Sequence, residues 1–513
     1  MSSGYNEVQA HMDFCMYFYG GVTMNHFFLQ LIAEKKVRRQ IKVLQKIYDA
    51  KFPLTVDEIA EDLDISKRTL SRDIKDIEHS FPEQEILELN TLYGYSINHT
   101  HYVDDLIVRI SEESPLLLIV NGVFREEVKS IDEWADELFI STSTLQRYLT
   151  YLKNLLKEFK LELTLTPIAF LGEEVNIRHF FFNFFYSMND ISTISHPTEA
   201  EHEFHNKVLA GYDEIRKTTN YSQYRRAIYW LMVVNNRIKQ GHFVKINPEL
   251  KKIQKQMETY HVLFQVAESL LPIMVVESLP EDEIVYVDFL TMDIFVYLED
   301  RVISDFHSKE EKDAVDDFLA KAFQVLGVDD AEAVDLRVFI SYLRNQILLS
   351  KLTPLFQKNV YEVNQFVKGG HKALFYKWVD LLQNDPIKQI ANIEYIEDVA
   401  VNLTMFTHCM AHNKRFKERE RHILFTFDGP NAYLNYLATL VEKFNIQNVR
   451  ITLLTNYHVT NELVEERKVD VVVCNYKDDS EILGCEVYTA ERVPTENDWE
   501  QIRNIIFHMD EFI

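Results

Sequence analysis

The residues of this chain best equipped for chemistry are two clusters of hydrogen-bond donors. One comprises Lys67, Arg68, Thr69, Ser71, Arg72 and Lys75, the other Ser143, Thr144, Gln146, Arg147, Tyr148 and Lys153. Their chemistry is recognition. Arg and Lys meet phosphates or guanine edges, while Ser, Thr and Gln adjust register or read base edges. Double-stranded DNA is the partner that such a set anticipates.

These groups act together only if one helix face projects them. From Leu54 to Glu78 the sequence predicts a helix-turn-helix unit. Thr55 and Glu58 form a capping box, Ile59, Ala60 and Leu63 face inward, and Asp64 and Ile65 make the turn. Ser66 caps the second helix, in which Leu70, Ile74 and Ile77 recur at helical spacing. Ile86–Leu89 and Tyr93–Ile97 then read as the two strands of a wing.

The plan repeats from Ser130 to Leu156. Ser130 and Glu133 form the box, and Ile131, Trp134, Ala135 and Leu138 point inward. Phe139 and Ile140 turn the chain, Ser141 caps, and Leu145, Leu149 and Leu152 face the core. A second wing is expected over Leu161–Leu163 and Ile168–Gly172. An ordinary antiparallel helix pair is the plain alternative for either segment alone. Two in tandem, each with a basic outer face and a following hairpin, favour reading heads.

At 513 residues the chain is too long for one core, and roughly three to five domains are expected. A net charge of −26 and a pI near 5.1 argue against nucleic acid only if charge is spread evenly. It is not: Lys35, Lys36, Arg38, Arg39, Lys42 and Lys46 form a basic stretch just before the first unit. The four cysteines, Cys15, Cys409, Cys474 and Cys485, show no metal-ligand spacing. The grouping of His408, His412 and His422 near Cys409 is not diagnostic either, so no metal and no cofactor are expected. A reduced, cytoplasmic protein is the default. No run of about twenty apolar residues suggests a membrane span. Residues 1–23 lack the basic start of a signal peptide and read as an extension, with Met24 an alternative start.

From about Asn176 to Arg421 the pattern is helical, in two halves that each predict a bundle of about five helices. The aromatic run Ile177–Tyr186 reads as bundle core rather than a ligand cage. Strands His422–Phe427, Val449–Leu454, Val471–Cys474 and Glu486–Tyr488 alternate with helices Ala432–Phe444, Asn461–Arg467 and Asn497–Met509. That alternation predicts a small parallel α/β domain. The loop after its first strand, Asp428-Gly429-Pro430-Asn431, has no Cys, His, Ser or Lys, so catalysis there is not expected.

This order resembles the Mga-type virulence regulators of Gram-positive bacteria, a family that includes the anthrax toxin activator. The most telling local match is Phe170-Leu171-Gly172-Glu173-Glu174-Val175-Asn176-Ile177-Arg178-His179-Phe180, a passage that in such regulators joins the last reading head to the first regulation domain. The resemblance implies a multidomain, mainly α protein. Its parts would be an N-terminal extension (1–34), winged helix-turn-helix domains (35–100 and 101–175), two helical-bundle phosphotransferase-system regulation domains (176–292 and 293–418) and an enzyme IIB-like α/β domain (419–513). It also implies a homodimeric transcription activator, no enzyme, tuned by a phosphotransferase-system phosphocarrier protein.

Departures from the family pattern stand out. Regulation domains place a His seven residues before an Arg; matching Arg237 puts Trp230 there. A second His follows a Glu-Ile-x-Tyr-like run, but Glu283-Ile284-Val285-Tyr286 leads to Leu290. The phosphate-carrying Cys of enzyme IIB domains is replaced by Phe427-Asp428-Gly429. Candidate phosphoacceptors are then His202, His205, His307 and His412. The rival readings are an RNA-binding antiterminator, which would lack tandem winged helices, a phosphate-accepting enzyme, which would need the loop Cys, and a protein-binding scaffold, suggested by the acidic Asp132, Glu133, Asp136 and Glu137 of the second head.

Overall fold

In the computed structural model the chain is mainly helical and folds as two compact units. The described residues are 26–50, 52–80, 87–90, 94–97, 103–187, 194–216, 223–257, 260–261, 263–265, 279–294, 306–327, 333–418, 421–441, 449–457, 459–476, 484–495, 498–499, 501–502 and 505.

The first unit comprises residues 1–369 and 379–401. It begins with α1 (His26–Leu31) and α2 (Lys35–Asp49). Part of the expected extension is therefore structural, because Phe28, Leu31, Ile32 and Ala33 are all buried. The first head follows: α3 (Val56–Asp62), α4 (Lys67–His79) and the antiparallel wing β1 (Leu87–Asn90) and β2 (Gly94–Ile97). Next come α5 (Val103–Ser111) and α6 (Pro115–Phe124), then the second head, α7 (Ile131–Glu137), α8 (Thr142–Glu158), β3 (Glu162–Leu165) and β4 (Ile168–Leu171).

Both wings are tied down in the same way. Leu54, just before α3, exchanges backbone hydrogen bonds with Tyr95 of β2 at 2.8 and 2.7 Å. Lys129, just before α7, accepts from the amide of Ile168 in β4 at 3.1 Å. Gly94 has φ +105°, and a Cβ there would lie 2.2 Å from the Leu54 carbonyl oxygen, so only glycine lets the first wing approach.

The helical stretch opens with α9 (Glu174–Ser187), α10 (Glu199–Arg216), α11 (Tyr224–Lys239), α12 (Pro248–Gln254) and α13 (Glu281–Ile294). It continues with α14 (Lys309–Leu326), α15 (Ala333–Ser350), a 3₁₀ turn (Pro354–Gln357), α16 (Tyr361–Gly370), α17 (Lys372–Asn384), α18 (Ile387–Ile390) and α19 (Ile396–Glu418). The expected seam at 292/293 adjoins residues 295–305, which lie outside the described residues. The aromatic run of α9 is core as expected: Phe180, Phe181, Phe182, Phe184 and Phe185 are at most 1 % exposed. One continuous apolar cluster joins Phe28, both heads, α9, α11 and α13.

The second unit comprises residues 370–378 and 402–513. Four parallel strands, β5 (Arg421–Phe427), β6 (Val449–Thr455), β7 (Val471–Cys474) and β8 (Glu486–Thr489), lie in the order β6-β5-β7-β8. Helix α20 (Asn431–Val441) covers one face through Leu434, Leu437 and Val441 against Ile423, Phe425 and Phe427. Helix α21 (Asn461–Arg467) covers the other through Leu463 and Val464 against Leu424 and Val472. Burial on both faces explains why β5 reads as an unbroken apolar run. Most of the closing helix expected over 497–509 lies outside the described residues.

Candidate nucleic-acid interface

Local chemistry builds both heads. In the first, the Glu58 amide donates to Thr55 Oγ1 at 3.3 Å and the Thr55 amide to Glu58 Oε2 at 2.8 Å, so two donors at the start of α3 are satisfied reciprocally. Asp64, at φ +51°, turns the chain, and Ser66 Oγ accepts from the Thr69 amide at 3.1 Å to start α4. The second head repeats this with Ser130 and Glu133, with Phe139 at φ +53°, and with Ser141 Oγ accepting from the Thr144 amide at 3.2 Å.

On α4, Lys67, Arg68, Ser71, Arg72 and Lys75 are exposed. Lys67 is paired with Asp57 at 2.6 Å, but both are well exposed, so the pair is weak and can be exchanged for a phosphate. Arg68, Arg72 and Lys75 form no ion pair with another described residue. Thr69 is half-buried, with its hydroxyl 2.8 Å from Ser66 Oγ, and serves the cap. On α8, Ser143, Gln146, Arg147 and Lys153 are exposed. Ser143 and Thr144 hydroxyls lie 3.0 and 2.8 Å from Ser141 Oγ.

Tyr148 corrects the sequence reading. It is 9 % exposed rather than outward, and the Arg147 guanidinium lies 5.5 Å from its ring centroid. The reason is that Leu145, Tyr148, Leu149, Leu152, Leu155 and Leu156 are all buried, a wider stripe than a two-helix unit needs. Two helices from outside the head, α1 and α6, also pack against α8.

The basic stretch on α2 is also reassigned. Lys36 pairs with Asp76 at 2.7 Å and Lys46 with Asp62 at 2.5 Å. Arg39 grips Asp73 through Nε and through Nη2, the latter at 2.8 Å, and Asp73 is fully buried. These cations serve the first head internally. An acidic residue on the apolar face of α4 was the one sequence signal of this clamp, since an Asp is almost never fully buried unless paired.

The family passage converges on a buried ion network. Arg178 donates to Glu283 at 2.6 and 2.9 Å, to the His242 carbonyl at 2.8 Å and to Glu174 at 3.1 Å. Arg237 donates to the same Glu174 at 2.9 and 2.8 Å. Because β4 leads into α9 through Gly172, this network ties the second wing to the bundle.

Trp230, where the resemblance would expect the first His, is fully buried and stacked on Phe182 at 4.0 Å. Leu290 is likewise buried. Among the candidate acceptors, His202 is half-buried, with Nδ1 against the Tyr224 hydroxyl. His205 is buried, and burial pushes its pKa down. His307 has Nε2 3.0 Å from Gln254 Oε1 and Nδ1 3.3 Å from Lys351 Nζ, so both ring nitrogens are engaged. Burial, aided by Lys351 and Arg344, lowers its pKa to about 3. His412 lies in α19, and its side chain is outside the described residues.

His179, by contrast, yields a pH prediction. It is buried against Phe159, Trp230 and Phe356, and burial lowers its pKa to about 3. Below the unfolded value near 6.5 the unfolded chain binds the proton and the folded chain does not. Stability should therefore fall as pH drops from about 6.5 towards 3, by up to about 1.4 kcal/mol per unit from this group. His179→Leu should flatten that dependence in urea melts taken at pH 7, 6 and 5.

In the second unit, side-chain amides occupy the loop that follows the first strand, β5. The Asp428 amide donates to Asn475 Oδ1 at 2.8 Å, and the Gly429 amide donates to Asn456 Oδ1 at 3.0 Å. These two backbone donors are therefore not open to an anion. His422 is buried, with Nδ1 2.9 Å from the Arg467 carbonyl and Nε2 2.8 Å from Thr452 Oγ1.

Known proteins match this architecture. The Mga helix-turn-helix domain matches residues 100–185, and an HTH domain matches residues 39–93. The capsule synthesis positive regulator AcpB of Bacillus anthracis is 22 % identical over 427 residues, which is 80 % of this chain and 87 % of that protein. The capsule synthesis positive regulator AcpA of the same organism is 23 % identical over 239 residues, 45 % of this chain and 48 % of that protein. No helix among the described residues is long and apolar enough to cross a membrane. With two helix-turn-helix domains in tandem and relatives that are positive regulators, the chain is similar to the Mga-type regulators.

Proposed function

We propose that this chain is a cytoplasmic, DNA-binding transcription activator that works as a homodimer and is tuned by sugar phosphotransferase-system signals through its helical bundles. The observation that carries the DNA-binding part is the pair of Ser-capped helices, α4 and α8, each presenting exposed cations that form no ion pair with described residues: Arg68, Arg72 and Lys75 on one, Arg147 and Lys153 on the other. Two acids of α4 itself, Asp73 and Asp76, are engaged with α2.

Tuning rests on the likeness of Glu174, Arg178, Arg237 and the Glu283–Tyr286 run to regulation domains. With Trp230 and Leu290 in place of histidines, the signal arrives at other histidines, foremost the half-buried His202, or through contact with a phosphocarrier protein. The α/β domain, with its amide-locked loop, serves association rather than phosphate transfer. Phosphate on His202 would displace the Tyr224 hydroxyl and add charge beside α11. Labelled phosphodonor and phosphocarrier should label the protein, and His202→Ala should remove the label.

The primary test is DNA binding by the purified protein across salt concentrations. If Arg68, Arg72, Lys75, Arg147 and Lys153 all meet phosphates, log K should fall with log salt at a slope of about −4 to −5. Arg72→Ala or Arg147→Ala should weaken binding by about 1–3 kcal/mol where a base contact is lost. Unchanged affinity and slope in both variants would remove those residues from the interface. A folded protein with no saturable binding would favour protein docking instead, for which Phe139, 96 % exposed beside acidic α7, would be the anchor.

A further inference from the structure

The two heads are bridged by two helical connectors, α1–α2 and α5–α6. In the first, α1 and α2 are linked by Ile32, Ala33 and Glu34, of which Ile32 is fully buried and Ala33 is 5 % exposed. Helix α2 contains no Gly or Pro. It clamps α4 of the first head through Arg39–Asp73 and Lys36–Asp76. On the other side it reaches α8 of the second head, where the Arg38 guanidinium lies 5.2 Å from the Tyr151 ring centroid. Helix α1 continues that contact, Phe27 meeting Phe159 edge-on at 5.6 Å.

The second connector is α5 and α6. Helix α5 packs on α2, and α6 packs on α8 and β4. Their joint is closed at both ends: Ser111 and Ser114 are 0 and 2 % exposed, and the Ser114 amide donates to the Ser111 carbonyl at 2.8 Å, while Glu112 and Glu113 between them face outward. The apolar cluster passes through both connectors without a gap, joining Leu31, Leu70, Ile107, Leu116 and Leu145.

We propose that α1–α2 and α5–α6 lock the two heads into one rigid reading unit, so that each chain recognises two DNA segments at a single fixed separation. Arg39 and Arg38 are positioning residues: they touch no DNA, and they set where α4 and α8 stand. This rests on the DNA-binding reading above and adds its geometry. A flexible tandem tolerates added DNA between its sites, whereas a rigid one gains from its second site at one spacing only. Ten added base pairs restore the helical face but move the second site by about 34 Å.

The test uses the full-length protein. Hydroxyl-radical footprints of wild type, Arg72→Ala and Arg147→Ala identify the segment under each head by the protection each variant loses. Five or ten base pairs are then inserted between those two segments. Both insertions should cut affinity by about 100-fold or more. Arg39→Ala should reduce the ratio of parent to inserted-site affinity at least tenfold, and Arg39→Lys should retain most of it. A general loss of fold would not produce this change in discrimination. If Arg39→Ala does not fold, Arg38→Ala and the wild-type insertions decide. Full affinity with the ten-base-pair insertion, or one protected segment sensitive to both variants, overturns the rigid unit and leaves DNA binding intact. No saturable binding to any fragment overturns the DNA-binding reading and this inference with it.

Discussion

Arg178→Ala should destabilise the first unit by about 3–5 kcal/mol, because it strands a buried charge. Arg178 and Glu283 side chains are both 0 % exposed, and removing the guanidinium leaves Glu283 with only the Val244 amide, at 2.8 Å. Glu174 suffers less, since Arg237 still holds it at 2.8 Å. The double variant Arg178→Leu/Glu283→Leu should recover part of the loss. Replacing a buried pair by apolar groups is often neutral, but here the Val244 amide and His242 carbonyl lose partners. Urea unfolding followed by tryptophan fluorescence measures both. A loss below about 1 kcal/mol for Arg178→Ala would mean that this network does not hold the bundle. Because α9 starts directly after the second wing, DNA affinity should fall with stability.

Trp230→Ala is the second large effect, at about 3–5 kcal/mol. The indole is fully buried, stacks on Phe182 at an interplanar angle of 2° and donates to Asp293 Oδ2 at 3.0 Å. Truncation opens a cavity between α9 and α11, although Asp293 keeps its pair with Arg226 at 2.7 Å. Trp230→His should not create a phosphoacceptor, since the position has no solvent exposure for a phosphocarrier to reach. Phosphate labelling that appears in Trp230→His/His202→Ala and is absent from His202→Ala alone would refute that. Trp230→Phe should cost much less than Ala, because it keeps most of the apolar contact and loses chiefly the hydrogen bond to Asp293.

Much of the architecture was legible before any coordinates. The helix starts at Thr55, Ser66, Ser130 and Ser141 were readable because a cap is made by residues three apart and needs no distant partner. The apolar stripes of α3, α4, α7 and α8 and the parallel strands of the second unit were readable for a similar reason, since periodicity reports which face is buried. The exposed cations of α4 and α8 follow directly, being what remains once the inward stripe is removed.

Where sequence reading stopped, the deciding contact was distant along the chain. Tyr148 is buried on a face of α8 against which α1 and α6, both outside the helix-turn-helix unit, also pack. Arg39 of α2 braces the first head rather than facing DNA, because Asp73 lies opposite it in the fold. Glu174, Arg178, Arg237 and Glu283 meet across three helices, and no spacing in the chain announces that meeting. Sequence by itself determined the kind of elements this protein has and the chemistry they can present, since capping and periodicity are local. Only the tertiary structure decided which charges are free and how the heads are held, since ion pairs and core packing depend on what long-range folding places opposite each residue.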